Sequence, residues 1–159
     1  MGDKYTITLP TFDICLSSNG RHEVSVTSPL EIRKALEQFA RYFKSEFHYD
    51  DIQYYADEHD EECIGFLFTE SALDIVTEDH KQMPTRCSGG CCFRRERLED
   101  GCKWVLFWVW IHPFFRNRGI LTRHWKKFLE QFGEFNIEQP LSDAMKSFLK
   151  KTDEYTGLT

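Results

Sequence analysis

The eight residues Trp104-Val105-Leu106-Phe107-Trp108-Val109-Trp110-Ile111 carry no charged side chain, and the run stops at His112-Pro113. Its β-branched and aromatic content reads as a strand. A half-buried strand alternates apolar and polar residues, whereas a continuously apolar one is covered on both faces. This strand is therefore central, and the fold must set layers against both of its sides. Pro113 ends the strand because proline has no N–H for the ladder. Arg116-Asn117-Arg118-Gly119 then turns the chain. Leu121, Trp125, Phe128, Leu129 and Phe132 follow on one helical face until Gly133 stops the helix.

The rest of the chain supplies the layers. Residues 5–9 and 23–27 alternate and read as short strands, with Asn19-Gly20 as a turn between them. Ser28-Pro29-Leu30-Glu31 opens a helix: Ser28 is the expected cap, Pro29 suits the first helical position and Glu31 completes a capping box. Ile32, Ala35, Leu36, Phe39, Phe43 and Phe47 carry that helix from 29 to about 47. Residues 57–62 form a charged break, and Ile64 to Phe68 a compact strand. Residues 70–86 support no assignment. Residues 90–97 read as a strand, Glu99-Asp100-Gly101 as a hairpin turn, and Phe135 to Glu138 as a short strand. Ser142 is the expected cap of a last helix carrying Met145, Phe148 and Leu149. Strands alternating with a crossover helix give a single α/β domain over 1–159.

Composition narrows the function classes. Hydrophobic residues at 41% and charged residues at 29% exclude a disordered or coiled-coil chain. The net charge of −6 argues against a general nucleic-acid binder. That charge is segregated: residues 1–80 hold 6 Lys and Arg against 17 Asp and Glu, and residues 81–159 hold 14 against 9. An acidic half can attract a cationic substrate while a basic half holds an anionic cofactor. No apolar run approaches the roughly 20 residues of a membrane span. Met1-Gly2-Asp3-Lys4 lacks a secretory pattern, so a cytoplasmic protein with no membrane partner is expected. Six cysteines are then expected as reduced thiols. Cys87 and Cys91 have a spacing that zinc uses, but Cys102 stands alone, so buried thiols and no metal are expected. By parity, Trp104, Trp108 and Trp110 should share one face of their strand.

The turn after the central strand holds the chemistry. The first N–H groups of a helix have no partner within it, and the helix dipole is positive there. A diphosphate suits such a terminus. Gly119 permits close approach of the backbone, and Arg116 and Arg118 add positive charge.

The segment Ile111-His112-Pro113-Phe114-Phe115-Arg116-Asn117-Arg118-Gly119-Ile120 resembles the signature of the GNAT superfamily of acyl-CoA-dependent N-acetyltransferases. In that signature a strand ending hydrophobic-x-Pro is followed by Arg/Gln-x-x-Gly-x-Gly/Ala. Leu121 is the departure, standing where the family usually has Gly or Ala. The ending Gly133-Glu134-Phe135-Asn136-Ile137-Glu138-Gln139-Pro140-Leu141-Ser142-Asp143-Ala144-Met145 resembles that of small bacterial members. The spacing is more distantly similar to the sister-chromatid cohesion acetyltransferases.

The resemblance implies a mixed, splayed central sheet flanked by helices, with acetyl-CoA as acyl donor and an amine, a small molecule or a protein lysine, as acceptor. It also allows a homodimer. It implies that Val109, Trp110 and Ile111 pair with the pantetheine. Arg116, Asn117, Arg118, Gly119, Ile120 and Leu121 would hold the diphosphate. Glu138 is the first candidate for the base, and His112 for a proton relay. Glu46, Asp50 and Asp51 are candidates for holding a cationic acceptor. Phe148 stands where the family has the Tyr that protonates the leaving thiolate, which leaves Ser142, Ser147 and Tyr155 as candidate donors. A non-catalytic acyl-CoA-binding relative and an acidic protein-interaction domain are the alternative readings.

Overall fold

A computed structural model of the protein describes residues 8–17, 19–58, 60–139 and 141–156, with side chains as far as residue 152. In it, strands β1 (Thr11–Phe12), β2 (Arg21–Val24), β3 (Cys63–Ser71), β4 (Thr85–Leu98), β5 (Gly101–Ile111) and β6 (Asn136–Ile137) form one sheet. The helices are α1 (Leu30–Phe47), α2 (Ile120–Phe132) and α3 (Asp143–Thr156). The strand order is β2-β3-β4-β5-β6, with β1 joining the start of β4. All pairings are antiparallel except β5 with β6, the pair that α2 crosses over to connect. This is the mixed, open α/β sheet expected.

Two cores flank the sheet. On one face α1 packs Leu36, Phe39 and Tyr42 against Leu67, Cys92, Trp108 and Trp110. On the other, Trp125, Phe128 and Phe132 of α2 and Met145 of α3 cover Phe66, Phe68, Phe93 and Leu106. The apolar run of β5 is covered on both faces as expected, but β4 is the middle strand, and β5 lies one in from the edge with little of it paired to β6.

Several local expectations need correction. Residues 5–7 of the first expected strand lie outside the described residues, and Thr8 and Leu9 are irregular. The strand expected at 23–27 runs from Arg21 to Val24 instead. Ser28 does not cap α1: Pro29 takes the cap position with no side-chain bond. The Ser28 hydroxyl instead accepts from the Ser25 N–H at 2.9 Å, closing the turn before the helix. Ser142 does cap α3, accepting from the Met145 N–H at 3.1 Å. Cys87, Cys91 and Cys92 are fully buried as expected, but Cys63 is half-buried and Cys15 and Cys102 are exposed.

The three tryptophans do not share a face. Cys92 pairs with Trp108 and Phe93 with Leu106, so Phe107 is an extra residue in β5. A bulge of this kind resets the alternation of side chains. Trp108 and Trp110 therefore face α1, while Trp104 faces α2 and packs on Phe132 at 4.8 Å.

One buried group gives the fold a pH dependence. His124 of α2 is 2% exposed, stacks on Phe68 at 5.6 Å and meets the Arg21 guanidinium through Nδ1 at 3.2 Å. Burial first, then the charges of Arg21 and Arg123, push its pKa down from 6.5 to about 4. Between those values the unfolded chain binds a proton that the folded chain does not. Stability therefore rises with pH across this window, by at most about 3 kcal/mol, and is fully present above it. Urea midpoints at pH 4.5, 5.5 and 7 should show a shallower rise for His124→Gln than for the native chain. Parallel slopes would show that His124 is not the group responsible.

Candidate active site

Beyond Ile111, residues Pro113–Phe115 make a single 3-10 turn, which His112 caps by accepting the Phe114 N–H on Nδ1 at 3.1 Å. Burial, then the charge of Arg116, lower the His112 pKa, so at neutral pH the imidazole is neutral with its proton on Nε2. Asn117 at φ 62° and Gly119 at φ 79° then take left-handed conformations that reverse the chain into α2. No side chain caps α2. A Cβ built on Gly119 would meet nothing within 4 Å, so the mouth of the helix is open. Ile120 is buried and Leu121 packs toward the α2-side core. Those two positions offer their backbone amides to the mouth, which explains how a Leu fits where a small residue is usual. The Arg118 guanidinium lies over the Phe114 ring at 4.5 Å.

Arg116 turns back from this mouth. Its Nε donates to the Ile111 carbonyl at 2.6 Å, and its Nη1 and Nη2 donate to Glu46 at 3.1 and 2.6 Å. The Trp110 Nε1 donates to the same carboxylate at 2.9 Å. Burial alone would raise the Glu46 pKa; the hydrogen bonds from Arg116 and Trp110 and the charge of Arg116 outweigh it and hold the group below the usual carboxylate range. Glu46 is thus committed to the turn. Asp50 and Asp51 are both exposed in the loop after α1.

Among the described residues, the edge of β5 that faces β6 is paired only near its middle. Val105 and Leu106 align with Asn136 and Ile137, and the Glu138 N–H closes the pairing on the Leu106 carbonyl at 3.0 Å. The strands then part. The His112 N–H donates to Ser88 on the β4 side, so the Ile111 carbonyl of the same trans peptide points the opposite way. By alternation, Val109 also presents its N–H and carbonyl to the open side, whereas the peptide groups of Trp110 face β4.

A cavity of about 260 Å³ fills this parting. Phe43 and Phe47 of α1, Phe107 and Trp108 of β5, and Glu138 and Ser142 line it. The Ser142 hydroxyl accepts the Met145 amide and retains its own proton to donate. His112 is not in the wall. Phe148 packs edge-on against Trp125 at 4.8 Å, Ser147 is exposed, and the Tyr155 side chain lies outside the described residues.

A second cavity of about 310 Å³ lies on the α1 face, lined by Arg33, Tyr54, Glu58, Asp60, Cys63 and Phe107 among others. The bulged Phe107 is common to both cavities. Asp60 pairs with Arg94 at 2.5 Å, while contact with Cys92 and the charge of Arg94 lower the Cys63 pKa. Sequence reasoning missed this juxtaposition. Phe107 is one more apolar residue in an apolar run, and no pattern marks it as the extra one.

The fold recurs in known proteins. The xEco2 acetyltransferase domain is 13% identical, covers 94% of each chain and superposes with a TM-score of 0.57. The same domain bound to a CoA conjugate gives 0.56 at 13% identity over 84% of this chain and 87% of that one. An aminoglycoside acetyltransferase from an uncultured soil metagenomic sample, in complex with sisomicin, gives 0.53 at 12% identity, over 83% of this chain and 85% of that one. No curated protein matches the sequence significantly. The family model of the acetyltransferase (GNAT) family matches residues 24–143. That span runs from the last residue of β2 to the first of α3 and takes in the open edge of β5 and the whole turn. The chain therefore belongs to the acetyltransferase (GNAT) family.

Proposed function

We propose that the protein transfers an acetyl group from acetyl-CoA to an amine. The observation that carries this reading is the open edge of β5, which leads from the cavity at Phe107 to the uncapped mouth of α2. The N–H and carbonyl of Val109 and the N–H of Ile111 suit an extended amide-bearing arm, and the amides of Gly119 to Leu121, with Arg118 beside them, suit a diphosphate. The open space at Gly119 fits such a group. Acetyl-CoA would supply the activated thioester carbonyl.

The residues of this chain would do the rest. Backbone N–H groups at the bulge are released from the β4 ladder and are candidate donors to a developing oxyanion. Glu138, in the cavity wall, is the candidate base for the ammonium proton of the acceptor, because only the neutral amine attacks. The Ser142 hydroxyl in the same wall is the candidate donor to the leaving sulfur. The cavity beyond Phe107, with Glu58 and Asp60 on its wall, is the candidate acceptor side, for a small amine or a protein lysine. Phe148 packed on Trp125 supports a second reading, an acyl-CoA-binding relative without turnover, since no phenol occupies the usual position.

Calorimetry with acetyl-CoA tests the donor site: a dissociation constant on the order of micromolar is expected. Thiol release in the presence of an amine panel then separates the two readings. A folded native chain that does not bind acetyl-CoA would overturn both.

A further inference from the structure

The arginine of the turn, the residue whose charge best suits a diphosphate, is spent elsewhere. Its three donor nitrogens go to Glu46 and to the Ile111 carbonyl, and its guanidinium lies over Trp110 at 5.4 Å. Glu46 in turn accepts three hydrogen bonds, two from Arg116 and one from Trp110. Each partner of the ion pair is 34% exposed, a setting in which such a pair adds little to stability. Its bidentate fork and third hydrogen bond instead fix orientation.

What it orients is specific. The Ile111 carbonyl is the last group that the open edge of β5 presents, and Arg116 covers it. Three residues later the chain enters Gly119 and the mouth of α2. Glu46 sits in the last turn of α1, between Phe43 and Phe47, which line the wedge cavity. One carboxylate thus ties the wall of the wedge, the end of its strand edge and the turn together, across 70 residues of sequence.

We propose that Glu46 is a positioning residue for CoA: by holding Arg116 on the Ile111 carbonyl, it sets the end of the open strand edge and the aim of the α2 amides, while Arg116 itself does not touch the diphosphate. The inference rests on the acetyl-CoA reading above and adds which side chain shapes that site. The phosphate charge then falls to Arg118 and the backbone.

The test uses CoA as the probe on the full chain, with Glu46→Gln, Arg116→Gln and the double variant. Each single variant should weaken CoA binding about tenfold, and the double variant by about the same factor rather than a hundredfold, because the two residues act as a unit. Melting temperatures should stay within about 3 °C of the native chain. In the chain without CoA, the indole N–H resonance of Trp110, assigned with Trp110→Phe, should move in both single variants. Unchanged CoA binding in Glu46→Gln with weakened binding in Arg116→Gln would show that Arg116 meets the cofactor directly and would overturn the proposal. So would multiplicative effects, tighter binding on release of Arg116, or an indole resonance that ignores Glu46. A folded native chain that fails to bind CoA would overturn the acetyl-CoA reading, and with it this one.

Discussion

Gly89→Ala is expected to lower the unfolding free energy by about 3 kcal/mol, a large loss for one methyl group. Gly89 pairs with Ile111 at the end of β5. A Cβ there would lie 2.4 Å from the Trp110 carbonyl oxygen and 2.9 Å from the Ile111 Cα. Both are backbone atoms of β5, and no rotamer change can move them aside. The two strands must separate, and the movement falls on the segment that carries the open edge and the turn. The variant should therefore also bind CoA more weakly than its stability alone would suggest. Urea unfolding of native and variant chains measures the first effect, and calorimetry on the folded variant the second. A loss under about 0.5 kcal/mol would mean that β4 and β5 are not in this contact.

Gly119→Trp is expected to abolish detectable CoA binding, a loss of at least about a hundredfold, while the chain stays folded. Two effects act at this position and can be separated. The backbone sits at φ 79°, where any residue with a Cβ is strained by about 1–2 kcal/mol. An added Cβ meets nothing within 4 Å, so a side chain here starts into open space at the mouth of α2. Gly119→Ala carries the strain without the bulk, and Gly119→Trp carries both. The two variants should lose similar stability, but only the tryptophan should close the mouth of α2. If both variants bind CoA alike, the diphosphate does not use this mouth.

Much of the architecture could be read from local patterns because those patterns are their own cause. An eight-residue apolar run has to be covered on both faces, so β5 had to lie between two helical layers. The helical spacing from Ile32 to Phe47 had to give α1 an apolar face, and Gly133 had to stop α2. The turn at 116–121 was legible for the same reason: an uncapped helix start after a buried strand is a property of adjacent residues. The Ser28 cap failed because Pro29 can hold the cap position itself, and the choice between them lies in the path of the preceding turn.

The sequence alone determined the mixed α/β sheet, the strand-turn-helix unit and the family, since each depends on residues close together in the chain. The tertiary structure decided which faces and charges meet. The bulge at Phe107 sends Trp104 to one core and Trp108 and Trp110 to the other, and uniform apolarity hides the change of phase. It also makes Phe107 the wall common to two cavities. Glu46 was legible as a carboxylate at the end of a helix, but its commitment to Arg116 and Trp110 depends on α1 crossing β5 at one point. Hydrophobic periodicity records which side of an element is buried, whereas the partner of a charge is set by where the elements cross, and no local pattern encodes that.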